Sequence, residues 1–187
     1  MEKREHRGLR RRPLLTPVWL SAGAAVLIVA AIAVFLISLT TTTVVVVRHA
    51  EKELSTIEDP PLTTLGEQRA QLLARMLGTV SGPGKVSGIF ASDTRRAQRT
   101  VAPLAARLGL TVNVLPARDV EGLVNRIRNE YRGRTVVVAG HSNTVPEIVK
   151  RLAKVDQVPP IVDEDYGTMY VVTMPTLGPA SVLRVTY

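Results

Sequence analysis

The chain of 187 residues is long enough for one domain with an additional segment, and it contains no cysteine. Disulfide bonds and thiolate metal sites are therefore excluded, and three histidines are too few for a typical histidine-rich metal site. The formal charge of +8 is uneven, because residues 1–12 carry six basic and two acidic side chains, a net +4 that is half of the total. Such a run occurs in nucleic-acid-binding tails, but the next segment favours another role.

An uncharged stretch follows the basic run, and residues 17–39 within it are mostly apolar. About 20 apolar residues in a helix span a bilayer, and the lack of a polar face disfavours a core helix. We therefore predict a transmembrane helix at 17–39 after a basic tail at 1–16. A cleaved signal peptide is the alternative, since Ala31-Ile32-Ala33 matches a small-x-small site, but the apolar residues continue beyond it and favour an uncleaved signal anchor.

The basic flank also predicts the topology of this single-pass membrane protein. By the positive-inside rule, the N-terminus is cytoplasmic and the domain after the helix is extracytoplasmic. Four threonines at 40–43 are predicted to form a linker, and the domain is expected to occupy residues 44–187. Since its first strand starts beside the anchor, we expect the far ends of the parallel strands to face away from the membrane.

Strands and helices alternate along the predicted domain. The valine run at 44–47 is typical of a strand buried on both faces. Further strands are predicted at 86–91, 111–115 and 135–140. Helices are predicted at 94–108, 120–131 and 145–153, and another helix is predicted to end near Gly78. Two last strands, at 168–174 and 181–187, are a candidate hairpin at a sheet edge. The pattern indicates an α/β fold, a three-layer sandwich with a largely parallel sheet, preceded by one N-terminal transmembrane helix.

Polar side chains follow three of these strands. The groups are Arg48-His49, the segment from Ser92 to Thr100, and the segment from His141 to Asn143. Ligands bind beyond the carboxyl ends of strands in open α/β sheets, and helix N-termini favour phosphate. Arginine grips two phosphate oxygens, and histidine can attack phosphorus or transfer a proton. Each group alone also fits an N-cap or a solvated face, but together they predict a phosphate site.

The same residues resemble the histidine phosphatase superfamily, with its phosphoglycerate mutase-like fold, in its small single-domain type. The resemblance covers about residues 44–187 and departs from the usual Arg-His-Gly at Ala50. The matching motifs are Val47-Arg48-His49-Ala50-Glu51, Leu62-Thr63-x-Leu65-Gly66-x-Gln68-Arg69-Ala70, Ser92-x-x-x-Arg96-Ala97 and Gly140-His141-Ser142-Asn143.

The resemblance implies a phosphohistidine mechanism that uses no metal and no other cofactor. His49 matches the nucleophile, while Arg48, Arg96 and His141 match the phosphate pocket, and Ser142 is a further phosphate-binding candidate. Arg96 is preferred over its neighbour because its spacing from the preceding serine fits the family pattern. The flanking guanidinium groups are expected to keep the imidazole neutral.

The sequence leaves open which residue is the general acid that protonates the leaving group. Asp119 is the first candidate, with a helix N-cap as its alternative role, and Glu51 is a weaker candidate. The predicted function is a membrane-anchored phosphatase acting on a phosphomonoester, either a small molecule or an envelope component, with no nucleic-acid partner. A non-catalytic phosphate-binding module and a protein phosphohistidine phosphatase remain as alternatives, whereas a mutase is disfavoured because little sequence is left for a lid.

Overall fold

The computed structural model describes residues 18–39, 41–56 and 58–187, and the chain divides into two compact units after Leu36. The first unit contains most of α1 (Val18–Leu39), whose segment Trp19–Leu36 has a mean hydropathy of 2.5 with none of it buried. The helix is thus long and apolar enough to cross a membrane by length and composition. The predicted basic tail at 1–16 lies outside the described residues.

The second unit combines six strands with four α-helices. The strands are β1 (Thr42–Arg48), β2 (Val86–Ser92), β3 (Val112–Leu115), β4 (Thr135–Gly140), β5 (Thr168–Met174) and β6 (Ser181–Thr186). The helices are α2 (Thr64–Leu77), α3 (Arg95–Leu108), α4 (Val120–Glu130) and α5 (Thr144–Ala153), with a short 3₁₀ turn at Gly82–Gly84.

The strands form one mixed sheet in the order β3-β2-β4-β1-β5-β6. The first four strands in that order are parallel, whereas β5 is antiparallel to β1 and β6 is antiparallel to β5. The expectation of a largely parallel sheet is therefore corrected to a mixed one. The physical reason is the short connection from β5 to β6, which permits only antiparallel pairing and forms the expected edge hairpin.

The first strand begins earlier than the sequence predicts. Thr42 pairs with Met174 of β5, and Thr43 pairs with Thr135 of β4, so half of the predicted threonine linker belongs to the sheet. Threonine is β-branched and fits a pleated strand well, which explains why the sheet extends into this polar segment.

Helices cover both faces of the sheet. Val44 and Val46 pack with α4 and α5, whereas Val45 and Val47 pack with α2 and α3. All four valine side chains are buried, as the uninterrupted apolar run predicts, because side chains of a strand alternate between two covered faces. This three-layer arrangement fixes β1 in the middle of the core and holds its last residues rigidly.

The start of α2 packs directly on the segment after β1. Thr63 caps the helix, its Oγ1 accepting a hydrogen bond from the Gly66 N–H at 3.1 Å, and its own N–H donates to the Glu51 carbonyl at 2.9 Å. A Cβ on Gly66 would overlap the backbone of Glu51, so only glycine permits this approach. The helix thereby positions the backbone that follows His49.

We predict that Gly66→Ala destabilises the domain by about 1–3 kcal/mol, because the helix or the Glu51 backbone must shift. Gly84→Ala is the matched control, since a Cβ there meets only Val80 at an ordinary contact distance of 3.4 Å. Urea unfolding of the two variants measures the difference. Equal stabilities would contradict the close approach at Gly66.

Candidate active site

The ends of three neighbouring strands bring the predicted phosphate-site residues together. β2, β4 and β1 lie side by side and parallel, so their carboxyl ends meet at one edge of the sheet. A cleft of about 700 Å³ opens at this edge. Five of the six candidate residues line it, namely Arg48, His49, Arg96, His141 and Ser142.

His49 is fixed in one orientation by its own backbone environment. Its N–H donates to the Gly140 carbonyl at 2.8 Å, and its ring Nδ1 lies 2.8 Å from the Ala50 carbonyl oxygen. A carbonyl oxygen only accepts, so Nδ1 carries the proton and Nε2 keeps its lone pair. The Ala50 N–H is in turn held by Thr100 Oγ1 at 2.9 Å. The imidazole therefore presents Nε2 as a neutral base and nucleophile.

The surroundings of His49 oppose its protonation. Burial is the largest cause and lowers the pKa of His49, and the interactions with His141, Arg96 and Arg48 lower it further. The hydrogen bond from Nδ1 to Ala50 acts in the opposite direction and raises the pKa. Together they lower the pKa of His49 to about 3 from its usual 6.5. The sequence predicts a neutral imidazole from the arginines alone, but loss of hydration contributes more than they do.

Arg48 is anchored by the loop between α5 and β5. Its Nη1 donates to the carbonyl oxygens of Val162 at 2.9 Å and Asp163 at 2.8 Å, with a longer bond to Asp165. The Tyr166 ring stacks on the guanidinium, 4.1 Å from its carbon to the ring centroid. Nη2 in turn lies 3.7 Å from Asp163 Oδ1, so the same loop holds both terminal nitrogens of the guanidinium.

Arg96 is held by an aspartate that the motif analysis does not single out. Asp59 Oδ1 accepts from Arg96 Nη1 at 3.2 Å, and Oδ2 accepts from the Arg95 N–H at the start of α3 at 2.7 Å. One carboxylate thus fixes both the guanidinium and the helix N-terminus, where negative charge is favourable. Arg96 O accepts from Thr100 Oγ1 at 2.7 Å, which links this helix turn to Ala50 and His49.

His141 lies edge-on to His49, with 5.2 Å between the ring centroids. Ser92 Oγ is 2.8 Å from His141 Nε2, and the His141 N–H donates to Thr144 Oγ1 at 2.9 Å. Burial, followed by the charge of Arg96, lowers the pKa of His141 to about 4. Ser92 therefore orients the second histidine rather than contacting the first.

Two buried guanidinium nitrogens at this site have no hydrogen-bond partner among the described residues, Nε of Arg48 and Nε of Arg96. Buried N–H donors are nearly always paired, and an unpaired one in a cleft marks a ligand position. An oxyanion carries several acceptor oxygens and would satisfy both donors. The chemistry of the site therefore fits a phosphate group.

The two candidate general acids occupy other environments. Asp119 is an exposed N-cap of α4, its Oδ1 accepting from the Gly122 N–H at 2.9 Å, and it is not among the residues that line the cleft. Glu51 lines the cleft, but Arg69 holds both of its carboxylate oxygens. Burial raises the pKa of Glu51, and the hydrogen bonds and charge of Arg69 outweigh this and lower it.

Other carboxylates line the cleft, which Asp119 does not. Asp163 and Glu164 line the cleft, and Asp163 accepts a hydrogen bond from Ser142 Oγ at 3.2 Å. Neither these residues nor Asp59 and Tyr166 could be assigned from sequence, because they come from long loops without periodicity. Among the described residues, no three His, Asp or Glu side chains cluster as metal ligands.

A family model described as histidine phosphatase superfamily (branch 1) matches residues 44–119. This match and the fold support the resemblance to the histidine phosphatase superfamily that the motifs indicate. A stretch of 62 residues is 44% identical to the PE-PGRS family protein PE_PGRS11 of Mycobacterium tuberculosis (strain ATCC 25618 / H37Rv), covering 33% of this chain. The chain spans only 10% of the length of that relative.

Solved structures of related phosphatases share the fold. The protein histidine phosphatase SixA complexed with tungstate has a TM-score of 0.63 at 24% identity, over 77% of this chain and 96% of SixA. A mycobacterial glucosyl-3-phosphoglycerate phosphatase has a TM-score of 0.55 at 17% identity, over 71% of this chain and 90% of that one. At these identities the likenesses establish the fold.

The depressed pKa values predict that the domain loses stability in mild acid. Both site histidines are neutral in the fold, but in the unfolded chain they bind protons below about pH 6.5. The free energy of unfolding should therefore fall by about 2 kcal/mol per histidine between pH 7 and pH 5. Urea titrations at the two pH values measure this decrease.

His49→Asn tests the assignment, because it removes one of the two titrating groups. The loss of stability between pH 7 and pH 5 should shrink by about half in this variant. An unchanged loss, or an imidazole NMR signal of His49 that titrates near its usual pKa, would contradict the buried neutral state.

Proposed function

We propose that the protein is a membrane-anchored phosphatase that hydrolyses a phosphomonoester through a phosphohistidine at His49. The observation that carries the proposal is the hydrogen bond from His49 Nδ1 to the Ala50 carbonyl, which leaves Nε2 unprotonated in a cleft that Arg48 and Arg96 also line. A buried imidazole with a fixed tautomer is suited to nucleophilic attack on phosphorus. The same feature disfavours a module that only binds phosphate, since binding requires no free nucleophile.

Binding of the phosphate uses the positive groups of the cleft. Arg48 and Arg96 supply the unpaired Nε donors, and His141 supplies a further ring nitrogen beside His49. These groups are held in place before substrate arrives, by the Val162–Asp165 carbonyls, by Asp59 and by Ser92. Preorganised donors of this kind stabilise the charge on the equatorial oxygens in the transition state.

Two displacements complete the reaction. In the first, the Nε2 lone pair of His49 forms a bond to phosphorus while the bond from phosphorus to the ester oxygen breaks, and the departing oxygen accepts a proton. In the second, water attacks phosphorus, the N–P bond breaks, and inorganic phosphate leaves with His49 restored. Neither step requires a metal ion, and we propose that the enzyme works without one.

The proton for the leaving group has three candidate sources. Asp119 is held as an N-cap, Glu51 is held ionised by Arg69, and Glu164 lines the cleft on the loop that anchors Arg48. Of these three, Glu164 alone both lines the cleft and forms no hydrogen bond or ion pair with another described residue. We therefore propose Glu164 ahead of Asp119 as the general acid.

The substrate class follows from the cleft and the anchor. The helix α1 supports a single-pass membrane location, with the domain on the extracytoplasmic side, and hence small or envelope phosphomonoesters. Relatives of the same fold hold oxyanions, as SixA does tungstate and the glucosyl-3-phosphoglycerate phosphatase does inorganic phosphate. The open cleft of about 700 Å³ also supports a protein phosphohistidine substrate as the second candidate.

The central intermediate is testable by rapid quenching. Turnover of p-nitrophenyl phosphate stopped in base should trap an acid-labile phosphoenzyme, and His49→Ala should abolish it and lower kcat by at least about 10³-fold. EDTA should leave both the intermediate and the rate unchanged. Full activity of His49→Ala, or a loss on chelation that Mg²⁺ or Zn²⁺ restores, would contradict the mechanism.

Paired substrates identify the general acid. If Glu164 donates the proton, Glu164→Gln should slow alkyl phosphates about 10²-fold, with little effect on p-nitrophenyl phosphate, whose leaving group needs no proton. Asp119→Asn should slow neither substrate selectively, because asparagine also caps helices well. A selective loss with alkyl phosphates in Asp119→Asn alone would reverse the assignment.

A further inference from the structure

A groove lies at the opposite edge of the sheet from the cleft, where the parallel strands begin. Its volume is about 490 Å³, and three cationic residues line it, Arg128, Arg132 and Lys154, with no carboxylate in the lining. The turn that carries Arg132 is attached to β1, because the Gly133 N–H donates to Thr42 Oγ1 at 2.9 Å. The cations are therefore fixed beside the first residue of the sheet.

The positive charge of this edge is not neutralised locally. Arg132, Arg134 and Lys154 are exposed, and none of them forms an ion pair with another described residue. Arg134 is also tied to β1 through its carbonyl, which accepts from the Thr43 N–H at 3.0 Å. Lys85 adds a further cation nearby, since the residue after it pairs with Thr135.

The acidic residues of this region leave the groove positive. Glu130 is bonded to Arg126 at 3.1 Å, and Asp156 lines neighbouring cavities instead of the groove. Arg128 donates to the carbonyl oxygens of Arg151 and Leu152, the last turn of α5, which keeps its guanidinium beside the groove.

An exposed apolar side chain lies on the hairpin turn that borders the same groove. Leu177 is 78% exposed, and its neighbours Pro175 and Gly178 line the groove. The turn follows Met174, which pairs with Thr42, so it belongs to the same edge of the sheet. A single exposed leucine is ordinary on a protein surface, but one beside unpaired cations is the pattern of a membrane-interface contact.

We propose that this edge, which we call the basic edge (Lys85, Arg128, Arg132, Arg134, Lys154 and Leu177), binds the surface of an anionic lipid bilayer. The cations would contact headgroup phosphates, and Leu177 would enter the interfacial layer. The inference rests on the proposed membrane location. Two residues, 40 and 41, lie between the end of α1 and the start of β1 in the sequence, so the basic edge follows the proposed anchor directly along the chain.

A lipid surface fits these features better than a small anion does. The cations come from different segments of the chain, and all of them except Arg128 are exposed, whereas a site for one phosphate needs buried donors that converge. Contact at the basic edge deepens the proposed function, because the cleft lies at the far ends of the same strands. Substrate would then enter from the aqueous side rather than from within the lipid layer.

The test uses the full chain reconstituted in vesicles and a fluorescent label that reports membrane contact. Since the chain has no cysteine, Leu177→Cys can be labelled alone. Leu54→Cys is the matched control, because Leu54 is fully exposed at the cleft edge. We expect quenching by lipid-borne spin labels at residue 177 in vesicles containing phosphatidylglycerol, but not in pure phosphatidylcholine, and no quenching at residue 54 in either.

Charge-reversal variants distinguish a local effect of the basic edge from an effect of the protein's net charge. Arg132→Glu and Lys154→Glu, made singly, should each weaken the contact by about fivefold or more, whereas Arg118→Glu, at an exposed arginine after β3 and with the same change in net charge, should not. NaCl at about 0.5 M should release the contact in the unmodified background, because screening shortens to a few ångströms. Equal quenching in neutral and anionic vesicles, or quenching that survives both treatments, would overturn the inference.

Two further arms separate this inference from its alternatives. Inorganic phosphate that releases the label at unchanged ionic strength would indicate a small-anion site and would overturn the lipid assignment. Flotation with neutral vesicles tests the anchor by itself. A chain that floats without contact at residue 177 in anionic vesicles overturns the basic edge alone. If the chain does not float, the proposed membrane anchor is wrong. The label at residue 177 then still tests the basic edge, because it reports contact with anionic vesicles that are added to the protein.

Discussion

The hydrogen bond between His49 Nδ1 and the Ala50 carbonyl is the contact on which the proposed chemistry depends. It fixes the proton on one ring nitrogen and leaves the other free, while burial keeps the ring uncharged. Ala50 is itself held in place, because its N–H donates a hydrogen bond to Thr100 Oγ1. One turn of α3 therefore supports both the proposed nucleophile, through Thr100, and Arg96, the proposed phosphate-binding residue.

The supports of the site come from parts of the chain that are far apart in sequence. Arg48 is held by a loop more than one hundred residues later, and Arg96 by Asp59. Arg48 is thus bonded to carbonyl groups and Arg96 to a carboxylate. This arrangement lowers the cost of placing like charges together and directs the unpaired donors inward.

The pattern of residues along the sequence predicted those features of the fold and the site that depend on local chemistry. The valine run identified the central strand, and the polar residues after three strands identified the cleft, because parallel neighbours end at one edge. The pattern did not predict Asp59 or Tyr166, since loop paths follow from tertiary contacts. Asp119 shows a second limit, because an N-cap and a general acid both place an aspartate before a helix, and only the structure shows its cap bond to Gly122.

The nitrogen that carries the phosphoryl group tests this account most directly. The base-quenched intermediate formed from ¹⁵N-histidine-labelled protein can be examined by ³¹P and ¹⁵N NMR, which distinguish phosphorus on Nε2 from phosphorus on Nδ1. Because Nδ1 is bonded to the Ala50 carbonyl, the account predicts phosphorus on Nε2 of His49 only. Phosphorus on Nδ1, or on His141, would contradict it.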